Sequence, residues 1–344
     1  MARVVMTDDG IAFDGHTLTE RALGGAESAF VSLAEALAGR GHEVFVRNNC
    51  PAAAVVNGVD WAPLDTPSPE QPDLYVANRS YRLLDGFPGA RRRIFWIHNP
   101  AQYLLKFRYL WRLARWRPVI IFSGRSHLAT YPAWAPDGGR VILPYGIEER
   151  FRIGEPAAAP PPPRAIFTSN PLRSLDWLLE LWARDIHPAL PAAELHVFSG
   201  ASTYGAAGDR KAAQMKAVLD RARALADQGV RLREPVQKDV LVRELASARA
   251  ILYRGDPGET YCLALGEAQA MGVPAVIQDI GAVRERIVDG ETGFIAADDD
   301  AFARSAVALL GDDALWRRQH QAALARQRNW GWDQAAAEFE RLLP

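Results

Sequence analysis

The stretch GETYCLALGEAQAMGVPAVIQD, residues 258–279, carries two carboxylates, Glu259 and Glu267, with seven residues between them. Glu259 follows the turn-forming run Gly-Asp-Pro-Gly at 255–258, whereas Glu267 lies in a run that is otherwise apolar or small. Burying an ionised carboxylate is costly unless the carboxylate is hydrogen-bonded. We therefore expect Glu267 to have a polar partner.

Helical character from Leu263 to Met271 would place Leu263 and Glu267 one turn apart on the same face. The free amides at the start of such a helix suit a phosphate, and Glu267 could accept hydrogen bonds from a vicinal diol one turn deeper. A phosphate and a diol at this spacing describe a nucleotide ribose. A helix cap with a separately paired glutamate is the simpler alternative, and these residues alone leave it open.

Composition indicates a soluble two-domain protein. The chain has 344 residues with 49% hydrophobic content, which is enough for two ordinary domains, and its formal net charge of −1 gives no overall attraction to nucleic acid. Only Cys50 and Cys262 occur, which argues against a disulfide framework or a thiolate zinc site and fits a reducing cytoplasm. The start of the chain turns acidic early, unlike a signal peptide, and no apolar run is long enough to span a membrane.

Short β-rich apolar runs alternate with segments at helical period, which predicts an α/β protein with doubly wound parallel sheets. The predicted strands are 4–6, 44–46, 74–76, 94–97, 119–122 and 141–143, then 165–168, 195–198, 250–253 and 274–277. The predicted helices are 28–40, with Gly41 as a C-cap, then 174–183, 208–228, 240–248, 263–271, 300–310 and an amphipathic helix within 330–343.

The segment GEPAAAPPPPR, residues 154–164, predicts a stiff extended connector because four consecutive prolines fit neither a helix nor a sheet interior. It divides the chain into a domain at 1–153 and a domain at 165–329, and the C-terminal helix within 330–344 is expected to pack back on the first domain. A ligand site is expected at the carboxyl ends of the strands.

Several motifs occur in a recognisable order. They are Gly24-Gly25-Ala26-Glu27, His98 at a strand end, SGRS at 123–126, PYGIE at 144–148, RSLD at 173–176, and the long stretch from Gly258 that continues as IGAVRERIVDGETGF to 294. On these motifs the chain resembles retaining glycosyltransferases of the GT-B fold, specifically family 4, which builds bacterial polysaccharides and glycolipids. The resemblance implies two Rossmann-like domains facing across a cleft. It also implies sugar transfer from a nucleotide-sugar donor to a glycan or lipid-linked acceptor.

The resemblance assigns roles to residues of the second domain. Glu267 would hold the donor ribose, and Glu259 would lie near the donor sugar hydroxyls as a positioning and electrostatic group. The backbone amides of Tyr261, Cys262 and Leu263 would face the diphosphate, with Cys262 in place of the glycine common in the family.

The resemblance also points to residues of the first domain. Gly24 and Gly25 would let a loop approach the diphosphate, and His98 would border the donor sugar as a catalytic residue. A turn for the glycines and a packing role for His98 are the structural alternatives. His16, where inverting relatives carry a general base, is interpreted as a loop residue. Acceptor contacts are expected at strand ends, at Asp8, Asp9, Asn78 and Arg79.

The sequence contains no convincing metal-ligand cluster, so we expect no metal or other cofactor, and Asp298–Asp300 are expected to cap the helix that follows. Cations must then stabilise the leaving diphosphate. Arg173 stands where the family has a Lys or Arg, but the arginine that usually precedes it is missing. Arg254 could compensate or could be a solvated loop charge, and Lys238 is a poorer candidate. Base recognition is expected from backbone groups near Val236.

Residues 86–136 contain no acidic side chain, and the segment KFRYLWRLARWR at 106–117 predicts a basic, aromatic-rich helix. Such a face within 91–117 would suit an anionic membrane surface, which would place a cytoplasmic protein peripherally on the inner membrane face. Packing of the aromatic side chains into the core is the alternative. No nucleic-acid-binding motif accompanies the patch, so a nucleic-acid partner is not expected.

Two other functions fit parts of this pattern. A nucleotide-sugar epimerase of similar fold would need an acid–base set that is not evident in the sequence. A non-catalytic sugar-nucleotide-binding protein is favoured if the missing arginine proves essential.

Overall fold

The computed structural model describes residues 1–200 and 205–344, with the backbone only of 205–210. The chain forms two compact units, Met1–Gly146 with Trp330–Pro344, and Ile147–Asn329. Among the described residues, no helix has the length and apolar character needed to cross a membrane.

The first unit is built on an eight-stranded sheet in the order β3-β4-β2-β1-β5-β6-β7-β8. Its strands are β1 (Arg3–Thr7), β2 (Glu43–Asn48), β3 (Ala54–Val56), β4 (Val59–Pro63), β5 (Leu74–Asn78), β6 (Arg92–Trp96), β7 (Val119–Phe122) and β8 (Arg140–Ile142). Its first helices are α1 (Thr17–Glu20), α2 (Gly25–Gly39), α3 (Phe107–Trp116) and α4 (Arg125–Ala129). All strand pairs are parallel except the β3–β4 hairpin.

The second unit is a six-stranded parallel sheet in the order β11-β10-β9-β12-β13-β14. Its strands are β9 (Arg164–Phe167), β10 (Glu194–Phe198), β11 (Val230–Arg233), β12 (Ala250–Leu252), β13 (Ala275–Gln278) and β14 (Gly293–Ala296). Its helices are α5 (Leu175–Leu181), α6 (His187–Ala189), α7 (Gly205–Ala224), α8 (Lys238–Ala246), α9 (Leu263–Ala270), α10 (Asp299–Gly311) and α11 (Asp313–Gln327). A π-helical turn at Trp182–Ile186 joins α5 to α6.

Both sheets are doubly wound, which confirms the predicted fold class. The strand order reverses between β1 and β5 in the first unit and between β9 and β12 in the second. Ligands of open α/β sheets bind outside the carboxyl ends of the strands at such a reversal, because the two connections leave in opposite directions there. The topology alone therefore selects the residues that follow these four strands.

Each predicted strand is present, with its ends shifted by at most two residues. The helix predicted to begin at Ser28 begins three residues earlier, at Gly25, because its first turn is opened by glycines that carry no apolar signal. The capping prediction for Asp298 is confirmed, since its carboxylate accepts from the Ala301 amide at 2.7 Å.

Of the elements given above, eight were not predicted: β3, β4, β11, β14, α1, α4, α6 and α11. The strands among them are short; β11 alternates with arginine and β14 begins with glycine, so neither gives a continuous apolar run. Helix α11 is rich in charged residues, yet Trp316, His320 and Ala323 recur at helical spacing and are buried.

The proline-rich segment, predicted as the connector between domains, lies within the second unit, and the chain leaves the first unit at Gly146. Hydrogen bonds attach this segment to its own unit: the Ala157 amide donates to His320 at 3.1 Å, and Arg328 donates to the Gly154 carbonyl at 2.6 Å. Extended backbone has unpaired polar groups, and here α11 and the residues after it supply their partners.

The C-terminal helix α12 (Trp332–Glu340) belongs to the first unit. Phe339 contacts the Trp96 ring at a centroid distance of 5.6 Å, and Arg40, at the end of α2, forms ion pairs with Asp333 and Glu340. Apolar packing and ion pairs therefore hold α12 on this unit.

Candidate functional site

The strand reversal of the second unit brings together loops that follow β9 and β12. Arg173 lies on the first of these loops, where its amide donates to the Asn170 carbonyl at 2.9 Å. Ser174 adopts the left-handed conformation, with φ of 62°, and its hydroxyl donates to the Gly255 carbonyl at 2.9 Å. This bond ties the two loops together and fixes the start of α5.

Glu259 is the acceptor at the centre of this arrangement. The Arg173 guanidinium donates to Glu259 Oε2 at 2.5 Å, and the Tyr253 hydroxyl donates to the same oxygen at 3.0 Å. The Cys262 amide donates to Glu259 Oε1 at 3.1 Å. Three donors hold the carboxylate in one orientation, and only 11% of its side chain is exposed.

Burial and the carboxylate set the charge state of this group. Burial lowers the pKa of Arg173, but the negative charges around it, Glu259 foremost, more than offset this and leave the pKa raised. Burial and then Glu259 raise the pKa of Tyr253, so its phenol stays protonated and donates. The site therefore contains a permanent cation beside a fixed carboxylate.

Close backbone approach places the Glu259 loop. Gly281 has φ of 70°, and a Cβ there would lie 2.2 Å from the Asp256 carbonyl oxygen. The next amide, of Ala282, donates to the Glu259 carbonyl at 3.1 Å. Only glycine permits this contact, so Ile-Gly-Ala at 280–282 is part of the support for Glu259.

Cys262 begins α9 in the left-handed conformation, with φ of 66° and ψ of 76°. Glycine is favoured in this conformation because it has no Cβ, which gives a physical reason for the glycine common at this position in the family that the sequence resembles. The thiol is 3% exposed, and burial followed by the Glu259 charge raises its pKa well above the ordinary value.

Glu267 lies on α9 one turn after Leu263 and is 3% exposed. Glu267 has the polar partner that the sequence predicts, and this partner is Lys238, whose ammonium donates to Glu267 Oε1. Burial raises the pKa of Glu267, the Glu148 charge raises it further, and Lys238 opposes both. Lys238 is the first residue of α8 and also lies 5.5 Å from the centre of the Phe151 ring.

Helix α9 is anchored at its other end by a fully buried amide side chain. Gln269 donates through Nε2 to the Val273 carbonyl at 2.9 Å and to the Thr292 carbonyl at 2.8 Å. Neither carbonyl lies in a helix or strand. Gln269 supplies a donor to each, and the Thr292 carbonyl also accepts from the Ala275 amide at 3.4 Å. The depth of Glu267 is thereby fixed relative to the sheet.

The structure places the other predicted donor residues as follows. Arg254 donates to Gln278 Oε1 at 2.8 Å and lies over the Trp177 ring at 4.8 Å, so it is held within the sheet edge. Val236 lies on the short loop between β11 and Lys238. The Cys262 amide is used by Glu259, whereas the first-turn amides that follow it have no acceptor within the helix.

The strand reversal of the first unit carries a separate network around Asp8, which is fully buried. Asn78 Nδ2 donates to Asp8 Oδ2 at 2.5 Å, and the Arg79 guanidinium donates to both carboxylate oxygens at 3.0 and 3.1 Å. Arg79 also donates to Glu27 at 2.7 Å. Glu27 is therefore the residue of the Gly24-Gly25-Ala26-Glu27 motif whose side chain joins the network.

His98 extends this network toward Tyr145. Because Asn78 donates through its nitrogen to Asp8, its oxygen accepts from His98 Nε2 at 2.6 Å. His98 Nδ1 then accepts from the Tyr145 hydroxyl at 2.5 Å. Burial, followed by the nearby Arg79 charge, holds the pKa of His98 well below its usual value, so the ring is neutral.

The remaining predicted residues of this unit lie nearby or apart. Gly24 is the N-cap of α2 and Gly25 its first residue, Asp9 accepts from the Ser80 hydroxyl at 2.6 Å, and His16 is exposed before α1. The sequence predicts Asp8, Asn78 and Arg79 only as separate strand ends. In the structure, Asn78 and Arg79 both donate hydrogen bonds to Asp8.

Helix α3 is the predicted basic, aromatic-rich helix, and it divides its aromatic residues between two faces. Tyr109 is buried in the core, and Trp116 donates to Asp85 at 2.9 Å. Phe107 and Trp111 are 82% and 40% exposed. Core packing thus accounts for part of the helix and leaves an exposed aromatic face.

Known proteins match the part of the chain that contains the site around Glu259 and Glu267. Residues 163–312 match the family model described as Glycosyl transferases group 1. This region is therefore similar to glycosyl transferases group 1 domains. Arg173, Lys238, Glu259 and Glu267 all lie inside the matched region.

Two curated relatives match over shorter stretches. A D-inositol 3-phosphate glycosyltransferase of Xylanimonas cellulosilytica is 38% identical over 120 residues, which cover 33% of this chain and 29% of the relative. A phosphatidyl-myo-inositol mannosyltransferase of Mycobacterium leprae is 37% identical over 87 residues, 25% of this chain and 23% of the relative. The chain therefore spans less than a third of the length of these relatives.

A solved structure matches the whole chain. Anabaena Alr3699/HepE, in complex with UDP and glucose, superposes with a TM-score of 0.73 at 12% identity and covers 100% of this chain and 99% of that one. At this identity the likeness shows the fold, which is GT-B with two Rossmann-like domains.

Within the matched region, sequence patterns did not indicate the roles of two candidate functional residues, Lys238 and Tyr253. The sequence makes Lys238 only a poorer candidate for the cation beside the diphosphate and gives no sign of its pairing with Glu267. It identifies Tyr253 only as the end of a predicted strand. The available signal was position, since Tyr253 follows β12 directly at the strand reversal. In the first unit, Tyr145 and Glu27 were quoted in motifs but given no role.

Proposed function

We propose that this protein is a metal-independent, retaining glycosyltransferase of the family 4 type that transfers a sugar from a nucleotide-sugar donor. The observation that carries the proposal is the Arg173–Glu259 pair at the β9/β12 reversal, with buried Glu267 one turn into α9. A cation, a fixed carboxylate and a deep carboxylate in this order match a diphosphate, a sugar and a ribose.

Glu267 would accept hydrogen bonds from the two hydroxyls of the ribose. An ionised carboxylate accepts from both hydroxyls without having to donate, and the Lys238 charge favours the ionised form against the effect of burial. A ribose on Glu267 Oε2 leaves the ion pair through Oε1 intact. Lys238 is thus a positioning residue for the ribose ligand.

Arg173 and the start of α9 would stabilise the leaving diphosphate. A guanidinium has five donors, so Arg173 can bind a phosphate while it still contacts Glu259. The first-turn amides of α9 add the positive end of the helix dipole. Leu263 and Glu267 lie about 6 Å apart along the axis, the separation of a ribose from its phosphates.

Glu259 would accept hydrogen bonds from the donor sugar and stabilise positive charge at the anomeric carbon by its field. Its two oxygens are held by Arg173, Tyr253 and the Cys262 amide, so little reorganisation accompanies the reaction. Because Arg173 supplies positive charge for the diphosphate, the proposal needs no metal ion, and activity should persist in EDTA.

The acceptor would be a glycan or a lipid-linked molecule. The relatives named for inositol phosphate and phosphatidyl-myo-inositol acceptors support this class, and the neighbour solved with UDP supports a nucleotide donor. We place acceptor contacts at Arg79, a partly exposed member of the Asp8 network, and at Asp9, which is also partly exposed and accepts from Ser80. His98 would border the donor sugar as a catalytic residue. Hydrogen bonds with Asn78 and Tyr145 would hold its neutral ring in place.

The exposed aromatic face of α3 supports a peripheral location on an anionic membrane. Phe107 and Trp111 lie one turn apart, with Arg108 and Arg115 exposed on the same helix. Aromatic rings at the headgroup level with flanking arginines are typical of interfacial helices. We propose a cytoplasmic protein that reaches the inner membrane face through residues 91–117.

The test begins with donor identification. Thermal shifts with UDP, GDP, ADP, TDP and CMP identify the base, and release of nucleoside diphosphate is then followed by chromatography with acceptor mixtures. Glu259→Ala is expected to remain folded and to lose transfer by about 100-fold or more. Glu180→Ala, an exposed carboxylate of the same unit, is the control and should retain activity.

Near-normal turnover by Glu259→Ala would refute the assigned role. Donor binding without diphosphate release under every acceptor condition would instead indicate a non-catalytic binding protein. Conversion of the donor sugar in the absence of acceptor would indicate an epimerase.

A further inference from the structure

A polar pocket lies at the amino-terminal edge of the sheet of the first unit. Its cavity volume is about 250 Å³, and its lining includes four arginines together with Trp116 and Gly138: Arg91, Arg92, Arg93 and Arg117. Arg92 begins β6, and the Asp8 network lies at the opposite, carboxyl edge of the same sheet. A five-residue strand spans about 13 Å, so the pocket is separate from that network.

Positive charge in the pocket exceeds the negative charge around it. No acidic side chain occurs from residue 86 to residue 136. Asp85, which accepts from the Trp116 indole at 2.9 Å, pairs with Arg112 at 2.6 Å. Arg91 pairs with Asp73 at 3.1 Å, but among the ion pairs of residues 1–200 and 205–344 none joins Arg92 or Arg117 to a carboxylate. Surface arginines without counter-ions favour an anionic ligand.

Arg93 adds a fixed and buried charge. It is 7% exposed and donates to the carbonyls of Leu84, Gly86 and Phe87 at 2.9, 2.6 and 2.8 Å. Its guanidinium also lies over the Trp116 ring at 4.4 Å. Carbonyls and a ring orient the guanidinium without neutralising it, and burial lowers the pKa of Arg93. An anion in the pocket would offset that burial.

Arg117 occupies a position where glycine or asparagine is usual. It ends α3 in the left-handed conformation, with φ of 41° and ψ of 57°. A Cβ on Gly138 would lie 1.8 Å from the Arg117 carbonyl oxygen, so the two backbones are in close contact. An arginine kept in a strained backbone conformation beside a pocket points to a role for its side chain.

We propose that this arginine pocket binds a phosphate group, either as a free phosphate anion or as the phosphomonoester headgroup of a lipid. Arginine matches phosphate because its planar donors form paired, charge-assisted hydrogen bonds. The pocket has room for one phosphate group. Trp116, which lines the pocket, is the last residue of α3, and the exposed Phe107 and Trp111 of this helix would contact acyl chains. The inference does not depend on sugar transfer.

The first arm of the test uses inorganic phosphate and isothermal titration calorimetry on the full chain. Arg92→Gln and Arg117→Gly are each expected to weaken binding roughly tenfold or more. Arg117→Gly places glycine where the backbone favours it, so its melting temperature should not fall. Arg341→Gln, an exposed arginine of the same unit, controls for net charge and should not weaken this binding. Arg173→Gln removes the cation of the proposed donor site, so binding that persists in Arg173→Gln and is lost in Arg92→Gln belongs to the pocket.

The second arm uses co-sedimentation with phosphatidylcholine vesicles that contain phosphatidic acid, or phosphatidylglycerol at equal charge. If the source is a lipid, the protein should prefer phosphatidic acid, and the preference should fall in Arg92→Gln and Arg117→Gly but not in Arg341→Gln. If the source is a free anion, only the calorimetric arm should respond to the pocket variants.

The proposal is wrong if neither probe binds. It is also wrong if Arg341→Gln weakens binding as much as the pocket variants do, because net charge would then be the cause. Loss of inorganic phosphate binding only in Arg173→Gln, with vesicle binding unchanged by the pocket variants, would assign the anion to the donor site and reject the pocket.

Discussion

At the scale of single residues, Glu267 and Lys238 form a buried ion pair, with 4% of the Glu267 side chain and 14% of the Lys238 side chain exposed. Each charge therefore needs the other as its partner. Burial raises the pKa of Glu267, so its ionised form costs stability as the pH rises, and Lys238 offsets that cost. We predict that Lys238→Met destabilises the protein by about 3 kcal/mol near pH 8. The loss should be smaller at a lower pH, because the unpaired carboxyl can then take up a proton.

Urea unfolding of four proteins tests this pair: the wild type, Lys238→Met, Glu267→Gln and the double variant. The double variant should recover much of the stability that Lys238→Met loses, because no buried charge is left unpaired. Equal losses at both pH values, or additive effects of the two substitutions, would contradict the coupling.

Cys262 offers a test of backbone strain at the start of α9. Both Cys262→Gly and Cys262→Ala remove the buried thiol, but only alanine keeps a Cβ at φ of 66°. We predict that the glycine variant is more stable than the alanine variant by about 1 kcal/mol. Thermal and urea unfolding measure the difference. An alanine variant as stable as the glycine variant would show that Cys262 is not strained.

At the scale of elements, helix α12 is attached to the first unit by a polar latch that comprises Arg40, His42, Asp333 and Glu340. The Arg40 hydrogen bond lowers the pKa of Glu340 to about 2. A depressed carboxyl pKa stabilises the fold above the unfolded value, and this contribution is lost as the pH falls toward about 2. Acid should therefore loosen α12.

We predict that Glu340→Gln destabilises the first unit by about 1 kcal/mol at neutral pH. Hydrogen exchange should show faster exchange for the amides of α12, and the difference from the wild type should shrink in acid. Glu338→Gln on the same helix is the matched control, because Glu338 pairs only with exposed Arg341. Equal acceleration by both variants would argue against a specific latch.

At the scale of the whole molecule, the two units should respond differently to a nucleotide. If Arg173, Glu267 and the β11–α8 loop form the donor site, the matching nucleoside diphosphate should protect amides in α9 and in residues 234–238. At about 100 times its dissociation constant it would add about 2.7 kcal/mol of stability. Hydrogen exchange with mass spectrometry, together with thermal shift, measures both effects.

The result that contradicts this prediction is protection confined to β1–β8. Such a result would move the nucleotide site to the first unit and would remove the basis for the roles given to Glu259 and Glu267. Exchange in α12 serves as the internal reference, because its ion pairs do not involve the proposed site.

Much of the architecture was predictable because buried parallel strands carry continuous apolar runs, which stand out in a sequence. Helix α9 was predicted to within one residue, since Leu263 to Ala270 contains no polar residue except Glu267 and Gln269. The missed elements were short, or buried their apolar residues between arginines, as β11 and α11 do. Pattern fails there because tertiary contacts decide which face is buried.

The sequence by itself determined the doubly wound fold, the buried position of Glu267 and the need of that carboxylate for a partner, because each follows from local polarity and spacing. Only the tertiary structure decided that the partner is Lys238, 29 residues earlier in the chain. It likewise decided that Arg173 and Glu259 meet, 86 residues apart. The order of strands in a sheet brings such residues together, and nothing in their local sequence encodes that order.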